Sequence, residues 1–228
     1  SCTIEIEQPQ IETTAIQTDI PSPTAIATSS LPTTQIPVTW ASLNLTGRLV
    51  YISASDVDDS ILNIQMLDLV TGTLTTIFST PPNAWIYYIT ISPDNQQLIM
   101  AYSPPYQQNV PVYQALYSMP MDGSVPPQFL LMPPTVDDRY LQVEWAPDGK
   151  YIFFSHINQQ EPAQTDQQFP VYTLYRIAYP NGQPEKIVEN VLWTRVSPDS
   201  SHLVYISDPF ANANKIFMSD ADGKNARE

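Results

Sequence analysis

One stretch of this chain constrains its fold more than any other. Val196-Ser197-Pro198-Asp199-Ser200-Ser201-His202-Leu203-Val204-Tyr205-Ile206-Ser207 reads as strand, tight turn, strand, and counterparts occur earlier in the chain. Four apolar segments align: Gly47-Arg48-Leu49-Val50-Tyr51-Ile52-Ser53, Gln97-Leu98-Ile99-Met100-Ala101-Tyr102-Ser103, Lys150-Tyr151-Ile152-Phe153-Phe154-Ser155 and His202 to Ser207. Their first apolar residues stand at positions 49, 98, 151 and 203, so the chain has an internal period and must be read as repeats before it is read as elements. Three of the segments are preceded by Ser92-Pro93-Asp94-Asn95, Ala146-Pro147-Asp148-Gly149 and Ser197-Pro198-Asp199-Ser200. Proline presets φ for the second position of a β-turn and Asp accepts the amides that follow, so each of these predicts a hairpin.

A third strand follows each polar loop and runs into a second turn. These strands are Leu62 to Leu69 before Thr71-Gly72, Tyr113 to Met121 before Asp122-Gly123, Tyr172 to Tyr179 before Asn181-Gly182, and Lys215 to Ser219 before Asp222-Gly223. Asp-Gly and Asn-Gly tolerate positive φ and are strong hairpin signals. Fourth strands follow in three cases, at Leu74 to Ser79, Gln128 to Met132 and Glu185 to Val188. The unit is a four-stranded antiparallel meander. A single such sheet leaves its faces bare, whereas repeats packed face to face around an axis cover them, so the expectation is an all-β β-propeller.

The run from Ser197-Pro198-Asp199 through Ser207-Asp208, continued by Lys215-Ile216-Phe217-Met218-Ser219-Asp220-Ala221-Asp222-Gly223, resembles the TolB-type, WD-like propeller repeat. The resemblance covers residues 45–228 and is weakest in the first repeat, where Asn44-Leu45-Thr46-Gly47 replaces the Pro-Asp turn. It implies the fold and says little about function. The expected organisation is an extended tail over 1–36, then the propeller over 37–228, with repeats at 37–80, 84–133, 139–190 and 191–228. The last repeat stops at Glu228, where its outer strand should begin. Three explanations stand open: a piece of a longer propeller, a small ring closed by a strand at 37–43, or a partner covering the open edge.

TolB-like propellers also precede the catalytic domain in relatives of prolyl oligopeptidase. Here no Gly-x-Ser-x-Gly elbow is present and no hydrolase domain follows Glu228, so the expectation is a protein that is not an enzyme. Lys and Arg number 9 against 23 Asp and Glu, a net charge of −14. Nucleic acid is therefore excluded as a partner, since it needs clustered cations. Only 14% of residues are charged, so surface polarity rests on Gln, Asn, Ser and Thr, a composition suited to an extracytoplasmic (periplasmic or cell-surface) protein.

Ser1-Cys2, followed by a charge-poor Thr/Ile/Pro/Ser/Gln tail, resembles the mature start of a bacterial lipoprotein. That resemblance implies a lipid on Cys2, with Ser1 the last residue of a signal peptide. Acyl chains contribute about 0.8 kcal/mol per buried CH₂, enough in multiple copies to anchor a soluble domain. The tail itself is rich in β-branched residues and proline and predicts an extended spacer.

Candidate chemical sites are few. His156 and His202 are the only histidines and lack further ligands, so neither metal nor cofactor is expected. Asp56-Val57-Asp58-Asp59 and Asp137-Asp138-Arg139 lack the spacing of a calcium loop and read as solvated loops. The second repeat crowds Trp85, Tyr87, Tyr88, Tyr102, Tyr106, Tyr113 and Tyr117. Most of these are expected between blades; Trp85, Tyr106 and Phe169 are the expected partner contacts. The function expected is a lipid-anchored propeller serving as scaffold or accessory subunit among envelope or membrane proteins. The alternative is a peptide- or glycan-recognition module using the propeller face.

Overall fold

The structure, a computed structural model, describes residues 33–35, 44–158, 172–207 and 215–228. Among them the regular elements are fifteen β-strands, arranged in four antiparallel sheets. The first blade contains β1 (Thr33–Gln35), β2 (Arg48–Ala54), β3 (Leu62–Asp68) and β4 (Thr73–Ser79). The second contains β5 (Trp85–Ile91), β6 (Gln97–Ser103), β7 (Ala115–Pro120) and β8 (Gln128–Leu131). The third contains β9 (Asp138–Trp145), β10 (Tyr151–Asn158), β11 (Thr173–Ala178) and β12 (Glu185–Glu189). The fourth contains β13 (Val191–Val196), β14 (His202–Ser207) and β15 (Lys215–Asp220).

Each of the second and third sheets is a simple meander in chain order, β5-β6-β7-β8 and β9-β10-β11-β12. The first blade differs, because β1 is added outside β4 with Thr34 opposite Leu74. Thr33–Gln35 thus joins the sheet, although its residues belong to the segment that composition marks as a spacer. The strand expected at 37–43 lies outside the described residues. In the fourth blade one expectation is corrected. The outer position is already begun, since Met218 and Arg227 exchange two backbone hydrogen bonds of 2.8 and 2.9 Å. The Asp222-Gly223 turn makes this reversal, with Gly223 at φ +82. A Cβ there would lie 2.8 Å from the Ile187 carbonyl oxygen, so only glycine seats this turn against β12.

The core lies between blades. Side chains alternate along a strand, and along β6 Leu98, Met100 and Tyr102 enter the layer shared with blade one while Ile99 and Ala101 enter the layer shared with blade three. Along β10, Ile152 and Phe154 face blade two and Phe153 faces blade four, where it meets Leu203 and Tyr205. A continuous apolar run at the second strand of a blade is therefore a strand buried on both faces.

The repeated turns are built alike. Ser92, Ala146 and Ser197 each accept, through the backbone carbonyl, the amide of a residue with positive φ: Asn95, Gly149 and Ser200. The turn Asp then binds the next strand's amides, as Asp94 does Gln96 (3.1 Å), Asp148 does Lys150 (3.0 Å) and Asp199 does Ser201 (3.1 Å). In the first repeat Asn44 at φ 49 and Gly47 at φ 100 precede β2 in place of the Pro-Asp turn.

Polar side chains join neighbouring blades. Trp145 N donates to Thr90 Oγ1 (3.0 Å), Asp148 N to Ser200 Oγ (2.9 Å), and Arg176 Nη1 to the Ala221 carbonyl (2.9 Å). The buried Gln142 on β9 acts like a short piece of backbone toward β13. Its Nε2 donates to the Thr194 carbonyl at 2.7 Å and its Oε1 accepts the Thr194 amide at 3.2 Å.

Two outcomes follow from this construction. Gln142→Leu keeps the size of the side chain but takes the Gln142 Oε1 acceptor from the buried Thr194 amide and leaves the Thr194 carbonyl with the Arg195 Nη1 donor at 3.1 Å. An orphaned buried group costs about 1–3 kcal/mol, so denaturant unfolding should show a loss of about 2 kcal/mol. Asp199 is held down to about 2 by the hydroxyls of Ser197 and Ser201 and the Ser201 amide. A lowered carboxyl contributes fully above its unfolded value, about 3.9, and loses that contribution as the pH falls through the folded value. The melting-temperature gap between the wild type and Asp199→Asn should be constant above about pH 5 and close as the pH falls from about 4 to 2.

Candidate functional site

The first strand of each later blade carries a bulge. On β5, Ile86 and Tyr88 oppose Tyr102 and Ala101, leaving Tyr87 as the extra residue. On β13, Leu192 and Thr194 oppose Ile206 and Tyr205, leaving Trp193. A bulge kinks the strand and re-aims the extra side chain. Trp193 has φ +56, in the left-handed region that a bulky residue adopts only at a cost of about 1–3 kcal/mol. It is nonetheless 48% exposed. Its ring meets Tyr88 of blade two edge to face, with centroids 6.1 Å apart. The clamp of Gln142 on Thr194 fixes the adjacent residue, so blade three holds this bulge in place.

Blade two supplies the rest of the aromatic group. Trp85 opens β5, is 55% exposed and lies 6.3 Å from Tyr87 between ring centroids. Burial pushes the Tyr88 hydroxyl above its ordinary range, and the Arg195 cation partly offsets that push. Arg195 pairs with Glu144 at 3.2 Å while its side chain remains largely exposed. The arrangement is an aromatic surface with a cation at its side, suited to a partner that offers apolar or π-rich groups.

The sequence-predicted contacts fall into three places. Trp85 pairs with Tyr87 on β5, the strand that also carries Tyr88. Tyr106 is exposed in the loop between β6 and β7, which it shares with the Gln107 to Val110 bridge. Phe169 and Cys2 lie outside the described residues. Of the other aromatics of the second repeat, Tyr102 and Tyr117 are buried and pack edge to face at 5.1 Å, and Tyr113 packs partly buried against the same layer. Trp193 and Arg195 were not singled out by sequence reasoning. The available signal was register: Trp193 stands five residues before Pro198, as Tyr88 stands five before Pro93.

The acidic segment Asp137-Asp138-Arg139, expected to be a solvated loop, is corrected at Asp138. That residue is buried, with His156 Nε2 at 2.8 Å and Asn158 Nδ2 at 2.9 Å from Oδ1, and the Thr135 amide and hydroxyl at 2.9 and 2.7 Å from Oδ2. Burial raises its carboxyl, but the bonds from Thr135 and His156 and the charge of His156 outweigh this and leave it below the usual carboxylate range. The physical reason is position: Asp138 opens β9 directly across from Asn158 in the ladder, so it faces inward. His156 also touches the rings of Tyr140 and Tyr175 at 5.7 and 5.5 Å. Asp58, by contrast, is exposed and accepts the Ser60 amide and hydroxyl at 2.9 and 2.7 Å. His202 stands apart in blade four, 3.9 Å from Asp220. Among the described residues no three His, Cys, Asp or Glu side chains are grouped to hold a metal.

No protein-family model and no curated protein matches this chain. Solved structures do. TolB from Acinetobacter baumannii aligns with a TM-score of 0.56 at 17% identity, over 79% of this chain and 40% of that one. A putative TolB from Agrobacterium tumefaciens gives 0.52 at 19% identity, over 78% of this chain and 60% of that one. An oligogalacturonate lyase in complex with manganese gives 0.57 at 14% identity, over 79% of this chain and 49% of that one. The chain thus spans between 40% and 60% of the length of these structures. At such identities the likeness is one of fold. It corrects the expectation that the protein is not an enzyme, because the same blades occur in a lyase and the fold does not exclude catalysis. In its blades, turns and inter-blade layers, the chain has the fold of the TolB-type β-propellers.

Proposed function

We propose that this propeller is a protein-interaction module of the cell envelope, a scaffold or accessory subunit whose contact surface is centred on Trp193 and Trp85. The observation that carries the reading is Trp193. A large aromatic side chain held at positive φ, half exposed and clamped from the next blade, has a cost that packing alone does not explain, and such outliers concentrate at functional positions. Trp, Tyr and Arg are also the residues that dominate protein interfaces. The low content of charged residues and the lipoprotein-like Ser1-Cys2 start support an extracytoplasmic place, with the chain held at the membrane through a lipid on Cys2.

A photo-crosslinking amino acid placed at 85 or at 193 in the cell tests the surface. Both positions should capture the same protein, and the exposed Val57 on the β2–β3 loop should not. Capture from Val57 equal to that from 85 and 193 would remove the reading. Trp193→Gly should abolish the cross-link from 85 while changing unfolding free energy by no more than about 1 kcal/mol, since the lost Tyr88 contact and the relieved backbone strain oppose each other. Mass spectrometry of the native N-terminal peptide tests the anchor separately. An acylated Cys2 as first residue is expected, and an unmodified Cys2 still preceded by Ser1 rules it out.

A further inference from the structure

The strands β9 and β13 open blades three and four, and each is paired along one edge only, to β10 and β14. Along the other edge the preceding blade supplies the hydrogen bonds. Thr90 Oγ1 accepts the Trp145 amide of β9 at 3.0 Å, and Glu144 Oε1 accepts the equivalent Val196 amide of β13 at 3.1 Å. Gln114 serves both backbone groups of Tyr140, its carbonyl accepting the amide at 3.1 Å and its Nε2 donating to the carbonyl at 2.8 Å. The Gln142 carboxamide does the same for Thr194.

Val143 is the equivalent of Thr194 on β9, since each stands four residues before the turn proline, Pro147 or Pro198. Opposite residues of an antiparallel pair alternate between bonded and unbonded. The Ala146 amide bonds to the Tyr151 carbonyl across its hairpin as the Ser197 amide does to His202. Counting back from those residues, the alternation turns the amide and carbonyl of Val143 off the free edge of β9, as it does those of Thr194. Blade two brings no glutamine to meet them. Five residues before Pro93, where Gln142 stands before Pro147, the chain has Tyr88, which packs into the layer between blades two and three. A phenol offers one oxygen, whereas a carboxamide offers a donor and an acceptor set apart as in a peptide. No described side chain bonds to either group, although Val143 is buried.

We propose that a partner protein inserts the side-chain carboxamide of a glutamine or asparagine at Val143, donating to its carbonyl and accepting its amide as Gln142 does for Thr194. A buried backbone group without a partner is destabilising, so a group that supplies one binds with that difference in its favour. A whole strand cannot add here, because Gln114 and Thr90 already hold Tyr140 and Trp145 on either side. Charged side chains fit poorly: a carboxylate has no donor for the carbonyl, and an ammonium has no acceptor for the amide. Tyr88 joins this position to the aromatic surface, since its ring also meets Trp193. Recognition at Val143 therefore rests on that surface being the interface, and it fixes what the partner must carry.

The test is amide-resolved NMR of the 228-residue chain with two blocked tripeptides at millimolar concentration, Leu-Gln-Leu and Leu-Met-Leu. In the free chain the Val143 amide should exchange with deuterium at least about tenfold faster than the Thr194 amide that Gln142 holds. Leu-Gln-Leu should shift the Val143 resonance and slow its exchange, and Leu-Met-Leu should do neither. Tyr88→Gln supplies the carboxamide within the chain, so it should protect Val143 unaided and remove the response to the peptide, whereas Tyr88→Leu should keep the response. Equal protection of Val143 and Thr194 in the free chain, an equal response to both peptides, no response to Leu-Gln-Leu, or a Tyr88→Gln chain that still answers the peptide would each overturn the proposal. No cellular partner is needed, so this test and the cross-linking from 85 and 193 can fail separately.

Discussion

Each complete sheet of this protein is apolar on both sides, and a sheet of that kind is stable only when a neighbour covers each face. That constraint accounts for most of what the molecule does with its sequence. Fully burying a Leu, Ile or Phe is worth about 1.5–3 kcal/mol, and the second strand of a central blade does so repeatedly, with Leu98, Ile99, Met100 and Ala101 all inaccessible to solvent. The three apolar layers fall between blades, so no blade is a domain by itself. Polar stitches such as Gln142 to Thr194 and Arg176 to Ala221 then set how one blade sits on the next, because a buried backbone group without a partner costs more than the bond itself yields.

The turns obey a different logic. They are solvent-facing, and their stability comes from carboxylates and hydroxyls closing on amides within a few residues. Ser92 with Asp94 and Ser197 with Asp199 make the same bonds, and the residue that must take positive φ is Asn, Gly or Ser in the three cases. Asp138 shows how far position outranks residue type. It resembles its half-buried neighbour Asp137 in sequence, yet β9 carries it into a buried network with Thr135, His156 and Asn158, where a charge must be fully bonded to be tolerated.

The aromatic surface illustrates the conflict between local preference and tertiary demand. Nothing in local chemistry favours a tryptophan at φ +56, and a glycine would adopt it freely. Trp193 is kept there by its neighbours: Gln142 grips Thr194 from blade three and Tyr88 reaches it from blade two. Trp85, flagged as a contact in the sequence, lies in the same blade as Tyr88, while Tyr102 and Tyr117 from the same aromatic-rich stretch are core. The likeness to a lyase of the same fold is a reminder that blades position side chains without fixing the chemistry they serve.

What the residues alone determined is the repeat and, through it, the architecture. Pro-Asp and Asp-Gly turns and apolar runs recur at a steady spacing because hairpin chemistry is local and a strand buried on both faces must be apolar throughout. Only the tertiary structure decided which face of each strand meets which blade and that Arg227 begins a fourth strand beside Met218. It also decided that Asp138 turns inward, and that Trp193 and Tyr88, from different blades, share one surface. Those outcomes depend on how strands pair and blades stack, from Met218 beside Arg227 within one blade to Tyr88 against Trp193 across blades, and on one-residue bulges that shift register, none of which composition records.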